Sequence, residues 1–200
     1  EGSEGSIKLT AEDNILEYIE VTNTNGKLRI KTKDHFNLKP SWKKGIQVEV
    51  PDEEVTKISL NGSGEVTGNL TLKAEKLKFS VNGSGDMKVA ADATAIKATI
   101  SGSGDIDISG KAAEFDAVVT GSGYVNASQL NATQATANLT LSEDIKIHAK
   151  NLLTVKIVGF GDVMVNKDFA TVNKKIVGSV FTGKLKFMSS LIIFSSSFFE

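Results

Sequence analysis

Acidic residues recur at one position of a repeated glycine-rich phrase, and their types and spacing could support metal chemistry. With the first glycine of each Gly-Ser-Gly as a marker, the position three residues later is acidic in five of the first six copies. It holds Glu65, Asp86, Asp105, Tyr124, Asp144 and Asp162. Because calcium prefers oxygen ligands, a row of carboxylates is a candidate calcium site. The candidate metal ligands are Asp86, Asp105, Asp144 and Asp162.

The spacing of the phrase argues against calcium as the main role of these acids. "GSGDIDI" resembles the calcium-binding nonapeptide repeat, but that repeat recurs every nine residues, about half of the step found here. We therefore favour a structural role, in which each aspartate accepts hydrogen bonds from backbone amides of its corner and keeps the edge soluble. No bound metal and no cofactor are predicted.

Aromatic and histidine residues give only weak further candidates. Trp42, in the loop "KPSWKKG", and Tyr124 could stack on a sugar, although packing over the N-terminal region is the favoured role of Trp42. His35 and His148 lack metal-ligand spacing, and His148 falls at an outward strand position. The chain has no cysteine, which excludes disulfides and thiol catalysis. No catalytic residue is predicted.

The elements that position these side chains are set by the repeat itself. The markers stand at Gly62, Gly83, Gly102 and Gly121, and degenerate copies follow at Leu141, Gly159 and Gly178. Positions two, four and six residues before each marker, and four residues after it, are almost wholly apolar. The position two before the marker holds Leu60, Val81, Ile100, Val119, Leu139, Ile157 and Ile176. The position four after it holds Val66, Met87, Ile106, Val125, Ile145, Val163 and Thr182.

Apolar spacing of two within each copy predicts strands with one buried face, and the repetition of like over like predicts a solenoid. The fold class is therefore all-β, a single-stranded right-handed parallel β-helix with about 19 residues per rung. Each rung has two main strands that flank the corner, and a looser third segment such as "SGKAAE" or "SQLNAT". Polar columns face outward, and one of them is a lysine column that ends at Asp116. It consists of Lys57, Lys78 and Lys97.

The predicted organisation is effectively one domain with four parts. Residues 1–6 are a flexible start, 7–60 a β-rich cap packed on the solenoid, 61–185 the repeats, and 186–200 an apolar tail. Within the cap, Ile15, Leu16 and Ile19 have near-helical spacing and predict a short helix. Asn25-Gly26 predicts a hairpin turn before the strand "GKLRIKTK", and "GIQVEV" predicts another strand.

Composition limits the classes of partner. The formal net charge of −1 gives no electrostatic case for nucleic acid or an anionic membrane. The apolar tail is interrupted by serines and is shorter than the roughly 20 residues of a membrane span. No nucleic-acid partner and no membrane span are expected.

The order of these parts resembles a known family. "DNILEYIEVTNTNGKLRIKTK", then "GIQVEVP", then the corners "NGSGE", "NGSGD", "SGSGD" and "TGSGY" are similar to the bacterial auto-transporter adhesins with a head GIN domain, which are widespread in Bacteroidetes. The resemblance covers about residues 7–184. It implies a fold similar to pectin-lyase-type β-helices, no recognised catalytic residues, and adhesion at the cell surface or in the periplasm.

These observations favour a non-enzymatic exported protein of the periplasm, outer membrane surface or extracellular space. Its expected partner is an unidentified glycan or surface protein, bound by a repetitive β-helix face. One alternative is a polysaccharide-degrading enzyme similar to pectin lyases. Another is a structural solenoid that forms homo-oligomers through an open helix end or the C-terminal tail.

Overall fold

The computed structural model describes residues 7–36, 38, 45–51, 54–142, 144–160, 163–165, 171–176 and 185–187. The predictions for residues 1–6, for Trp42 and Asp162, and for the tail beyond residue 187 lie outside these ranges. The chain divides into two compact units, Glu1–Glu53 and Glu54–Glu200. The predicted packing of residues 7–60 as a cap on the solenoid stays a prediction.

The described residues of the first unit form two small antiparallel sheets and one short helix. Strand β1 (Lys8–Thr10) pairs with β4 (Gln47–Glu49), and β2 (Ile19–Thr24) pairs with β3 (Lys27–Thr32). Helix α1 (Asp13–Leu16) buries Ile15, as its spacing predicts.

Two sequence features explain the β2–β3 hairpin of the first unit. The Asn25-Gly26 turn has positive φ at both residues (50° and 72°), which matches the twist of a tight hairpin. Ile19 was expected on the helix, but it begins β2 instead, because Glu17 and Tyr18 form a turn after the short helix.

The second unit is a parallel β-solenoid, which confirms the predicted fold class. Its sheet begins with a short strand, continues through five long strands that each make one rung, and includes three short strands towards the C-terminus. The bounds are β5 (Lys57–Gly62), β6 (Glu65–Gly83), β7 (Asp86–Gly102), β8 (Asp105–Gly121), β9 (Tyr124–Ser142), β10 (Asp144–Phe160), β11 (Val163–Val165), β12 (Thr171–Ile176) and β13 (Leu185–Phe187).

The register between rungs agrees with the columns predicted from the repeat. Leu60 pairs with Val81, Val81 with Ile100, and Ile100 with Val119, and the same column continues to Ile157 and Ile176. Inner side chains of the middle rungs are almost completely buried. Each large apolar residue that is buried in this way stabilises the fold by about 1.5–3 kcal/mol. Fully buried members include Phe79, Phe115, Leu77, Met87, Ile96, Ile100, Ile106, Leu139 and Leu153.

The third segment of each rung is more regular than predicted. "SGKAAE" runs from Ser109 to Glu114 inside β8, and most of it pairs in register with β9. The phase of burial changes across this segment: Ile106 and Ile108 point inward before it, and Phe115 and Ala117 after it. The backbone ladder therefore extends around most of the rung.

The last rung departs from the predicted register. The column that contains Val125, Ile145 and Val163 was expected to continue at Thr182, but Val163 pairs with Leu185. The copy at Gly178 lacks a Gly-Ser-Gly corner, and "KLKF" supplies the apolar alternation that "VFTG" does not. An apolar leucine therefore continues this column.

Candidate functional site in the outer columns of the solenoid

The Gly-Ser-Gly corners place the outer residues, so the site is built from them. Backbone hydrogen bonds continue through the corners: the Ser103 amide donates to the Gly83 carbonyl over 2.8 Å, and the Ser122 amide donates to Gly102 over 2.9 Å. The first glycine has positive φ, for example +129° at Gly102, a conformation that other residues rarely adopt. Each corner is therefore fixed directly on the corner of the preceding rung.

The acidic residues after the corners form a column, as the spacing predicts. Asp86 pairs with Glu65 and with Asp105, and Asp105 pairs with Tyr124, which pairs with Asp144. The Asp86 carboxylate accepts a hydrogen bond from the Asp105 amide over 3.3 Å, and the Asp105 carboxylate accepts one from the Tyr124 amide over 3.1 Å. The donors are amides of the following rung, whereas the sequence predicted amides of each aspartate's own corner.

Asp105 has the most perturbed carboxyl of this column. Partial desolvation raises its pKa above the usual value of 3.8, and the neighbouring charges of Asp86 and Asp107 raise it further. The hydrogen bond from the Tyr124 amide opposes this rise in pKa. Like charges in adjacent rungs therefore repel, and the backbone amide compensates only in part.

Calcium would need several oxygen ligands around one point. Within the described ranges, no three acidic, histidine or cysteine residues come together as a metal-binding group. The Asp86 and Asp105 carboxylates each accept a hydrogen bond from a backbone amide of the next rung. The observed geometry of these two residues is that of hydrogen-bond acceptors along a sheet edge.

Tyr124 interrupts the acidic column and has a distinct environment. Its ring is half-buried, and the Lys146 ammonium lies 5.6 Å from the ring centroid. Its hydroxyl is buried and has no hydrogen-bond partner among the described residues. This phenol is therefore held against the surface by Lys146, a typical cation–π contact.

Polar ladders connect neighbouring rungs on the outer surface. The Ser80 hydroxyl donates a hydrogen bond to the Ser59 hydroxyl over 2.8 Å, and the Asn82 side-chain amide donates one to the Asn61 side-chain oxygen over 2.9 Å. On another face, the Asn126 side chain donates to Asp107 over 2.7 Å. Outer side chains therefore repeat at the spacing of adjacent strands, about 4.8 Å, and several are fixed by their neighbours.

A groove of about 440 Å³ crosses four rungs, and sequence reasoning missed it. Leu77, Ile96 and Phe115 lie along it, but their side chains point into the core. The outer residues on its two sides are Lys76, Lys78, Ala95, Lys97, Glu114, Asp116, Gln134 and Thr136. The lysine column was visible in the sequence. The groove was not, because it depends on the bend of the rung.

The groove has opposite charges towards its two ends. Lys76 and Lys78 lie on β6, and Glu114 and Asp116 lie two rungs later, on β8. Between them, the Lys97 ammonium forms an ion pair with Asp116 over 2.9 Å. A molecule in this groove would therefore meet cationic groups on one part and hydrogen-bond acceptors on the other.

The other predicted site residues lie at separate positions. His35 is exposed in the first unit and has a positive φ of 70°. His148 is half-buried in β10 of the solenoid. In the part of the chain that the structure describes, no helix is long and apolar enough to cross a membrane.

Three of the solved structures that are similar to this chain are bacterial proteins. A "putative lipid binding protein" from Parabacteroides distasonis shares 20% identity, with 92% of this chain and 84% of that chain covered and a TM-score of 0.73. A "putative adhesin" from the same organism shares 23%, with 92% and 86% covered and a TM-score of 0.70. A "putative adhesin" from Parabacteroides merdae shares 21%, with 92% and 83% covered and a TM-score of 0.66.

At these identities the structural similarity establishes the fold alone. A comparison with curated proteins gives no match. Residues 1–168 match the family described as "putative auto-transporter adhesin, head GIN domain", which is most of the chain. With the parallel solenoid and its glycine corners, this match shows that the chain belongs to that family.

Proposed function

We propose that this protein is a non-enzymatic adhesin, whose outer columns contact a glycan or a protein at the bacterial surface or in the periplasm. The observation that carries this proposal is the register of the outer side chains. Hydroxyl, amide and charged groups repeat from rung to rung, and pairs such as Ser80–Ser59 and Asn82–Asn61 are fixed by hydrogen bonds. Family membership supports the same role.

A regular polar face suits adhesion for a physical reason. Each hydroxyl or amide contributes little binding free energy, because it exchanges one hydrogen bond with water for one with the ligand. Several contacts at one fixed spacing add up when the ligand repeats as well, and a rigid sheet avoids the entropy cost of ordering loops. A stacked β-surface therefore fits a chain-like or repetitive partner.

The alternative of a polysaccharide-degrading enzyme has weaker support. Glycoside cleavage requires an acid and a base that converge on one bond. Asp86 and Asp105 instead lie one above the other at the corners of adjacent rungs, and each accepts a hydrogen bond from a backbone amide. The acids of this column thus have a structural role that accounts for their position.

The test is a binding screen of the folded protein on a glycan array and in pull-downs from bacterial and host cell surfaces. A matched variant, Ser101→Arg with Thr120→Glu, changes two exposed residues of one outer column and leaves the inner columns intact. We expect binding of one ligand class, reduced several-fold in this variant if the ligand contacts this face. Absence of binding in every screen would contradict adhesion. Cleavage of uronic-acid polymers that is abolished by Asp105→Asn would support the enzyme instead.

The proposal also includes self-association through a helix end or the C-terminal tail. Light scattering of the full chain and of a chain without residues 186–200 tests it. A mass that falls to that of a monomer on truncation would assign assembly to the tail.

A further inference from the structure

One outer column of the solenoid places lysines on three adjacent rungs. Lys57, Lys78 and Lys97 lie in register on adjacent rungs, so that like charges stand one strand spacing apart. Lys76 adds a fourth cation beside Lys78. Lys97 is paired with Asp116, but within the described ranges no carboxylate forms an ion pair with Lys57, Lys76 or Lys78.

Two other outer columns of the solenoid place opposite charges on adjacent rungs. Lys88 lies in register with Asp107, and Asp92 lies in register with both Lys73 and Lys111. Such an alternation favours the correct register, because opposite charges in directly adjacent positions attract.

The acidic column is another run of like charges, and backbone hydrogen bonds explain it. The carboxylates of Asp86 and Asp105 accept hydrogen bonds from backbone amides of the following rung, and these bonds stabilise their negative charge. Lysine ammonium groups cannot accept such bonds, since they are donors only. The lysine column therefore has no equivalent structural explanation.

The same lysines lie at one end of the groove, which is a second and independent observation. Lys76, Lys78 and Lys97 contribute to its wall, and all three are exposed. On the following rungs the wall changes to acceptors and neutral polar groups, with Glu114 and Gln134. Carboxylates and amides are suitable partners for sugar hydroxyls, which donate hydrogen bonds.

We propose that this groove binds an oligosaccharide that carries an acidic sugar at one end. Lys76 and Lys78 bind the sugar carboxylate, and the neutral sugars extend along the solenoid towards Glu114, Gln134 and Thr136. One rung advances by about 4.8 Å, which is similar to the length of one sugar residue. This inference rests on the proposed adhesin function and assigns its ligand class and face.

Two features distinguish this ligand from other anions. A continuous polyanion would place a negative charge against Glu114, where it would be repelled. A lipid would need an apolar surface for its acyl chains, but the side chains of Leu77, Ile96 and Phe115 point into the core. An acidic group at one end of a neutral chain matches both ends of the groove.

The test compares two trisaccharide probes that differ in one group. The first has two galactose units with a terminal galacturonic acid, and the second has galactose at that end. In titration calorimetry at low salt, the full chain should bind the acidic probe with at least tenfold higher affinity than the neutral probe. Raising the salt concentration should weaken the binding of the acidic probe only, because salt screens the contact between the lysines and the carboxylate.

The variant Lys76→Gln with Lys78→Gln should lose at least tenfold in affinity for the acidic probe. The matched control, Lys27→Gln with Lys150→Gln, removes the same charge from exposed positions outside the groove and should bind as the parent does. Equal affinity for the two probes, no binding of the acidic probe, or full binding by the Lys76/Lys78 variant would overturn this inference. Adhesion itself would still stand if array or pull-down screens gave a different ligand.

Discussion

Two corners with almost the same sequence have different structural requirements. "NGSGE" (residues 61–65) and "NGSGD" (residues 82–86) both make the turn into a new rung. A Cβ built on Gly83 would lie 2.5 Å from the Gly62 carbonyl oxygen, and one on Gly85 would lie 2.6 Å from that of Gly64. A Cβ on Gly64 would meet only the Leu60 side chain, at 3.4 Å.

The difference separates two reasons for glycine in one motif. The first glycine has positive φ even at Gly62, where a Cβ would meet nothing within 4 Å. It is therefore required by the turn itself. The second glycine is required by the corner of the preceding rung, since only stacked corners place a carbonyl against it. The first corner, at Gly62–Gly64, has no carbonyl of a preceding corner against its second glycine.

Substitution of the second glycine should give the largest contrast between the first and the later corners. In Gly104→Ala the new methyl group would overlap the Gly85 carbonyl oxygen, so we expect a loss of about 4 kcal/mol in unfolding free energy. Gly64→Ala is the matched control, with an expected change within about 0.5 kcal/mol. Urea unfolding followed by circular dichroism measures both. Equal losses would show that the turn alone requires both glycines.

Truncation within one inner column should give the second largest contrast. Leu139 is 1% exposed in a middle rung, and we expect Leu139→Ala to cost about 3 kcal/mol, within the range for buried leucines. Leu60 heads the same column and is half-buried, so Leu60→Ala should cost about 1 kcal/mol. The same urea titrations compare them. A cost for Leu60→Ala as large as that for Leu139→Ala would mean that the first rung is as tightly packed as the middle ones.

The acidic column should give a smaller, pH-dependent contrast. Because the folded pKa of Asp105 is raised, the folded state binds more protons than the unfolded state between the usual pKa of 3.8 and the raised value. The contribution of this residue to stability therefore falls as the pH rises through the raised pKa. Asp105→Asn keeps an acceptor for the Tyr124 amide and removes this penalty.

We expect Asp105→Asn to be slightly more stable than the parent at neutral pH, with the difference disappearing at about the usual carboxyl pKa near 4. Glu65→Gln, at the start of the column, serves as the control for loss of one exposed charge. Thermal unfolding of the three proteins at several pH values gives the comparison. A variant that loses stability at neutral pH would mean that the charged carboxylate itself stabilises the corner.

The Lys97–Asp116 ion pair should give the smallest effect. Both side chains are partly exposed, at 49% and 38%, so a double-mutant cycle with Lys97→Gln and Asp116→Asn should give a coupling below about 1 kcal/mol. This coupling should decrease at high salt. A coupling that is larger, or independent of salt, would indicate a well-shielded pair that fixes the register of these rungs.

The sequence predicted most of the solenoid because one rule generates it. Apolar residues at alternate positions, repeated about every 19 residues, leave one arrangement in which every inner face is buried. The register of Leu60, Val81 and Ile100 follows directly. The rule failed at Thr182, where the copy has Val180 at the place of the second corner glycine and Leu185 continued the column.

The sequence also determined the outward position of the acidic and lysine columns, since alternation in a strand decides the side on which each residue lies. Only the tertiary structure decided what these columns contact. The hydrogen bonds of Asp86 and Asp105 to the next rung depend on the distances between corners, and the groove beside Lys76 and Lys78 depends on where each rung bends. Periodicity gives the order of residues along the chain, but the shape of a surface comes from the angles at which stacked rungs turn.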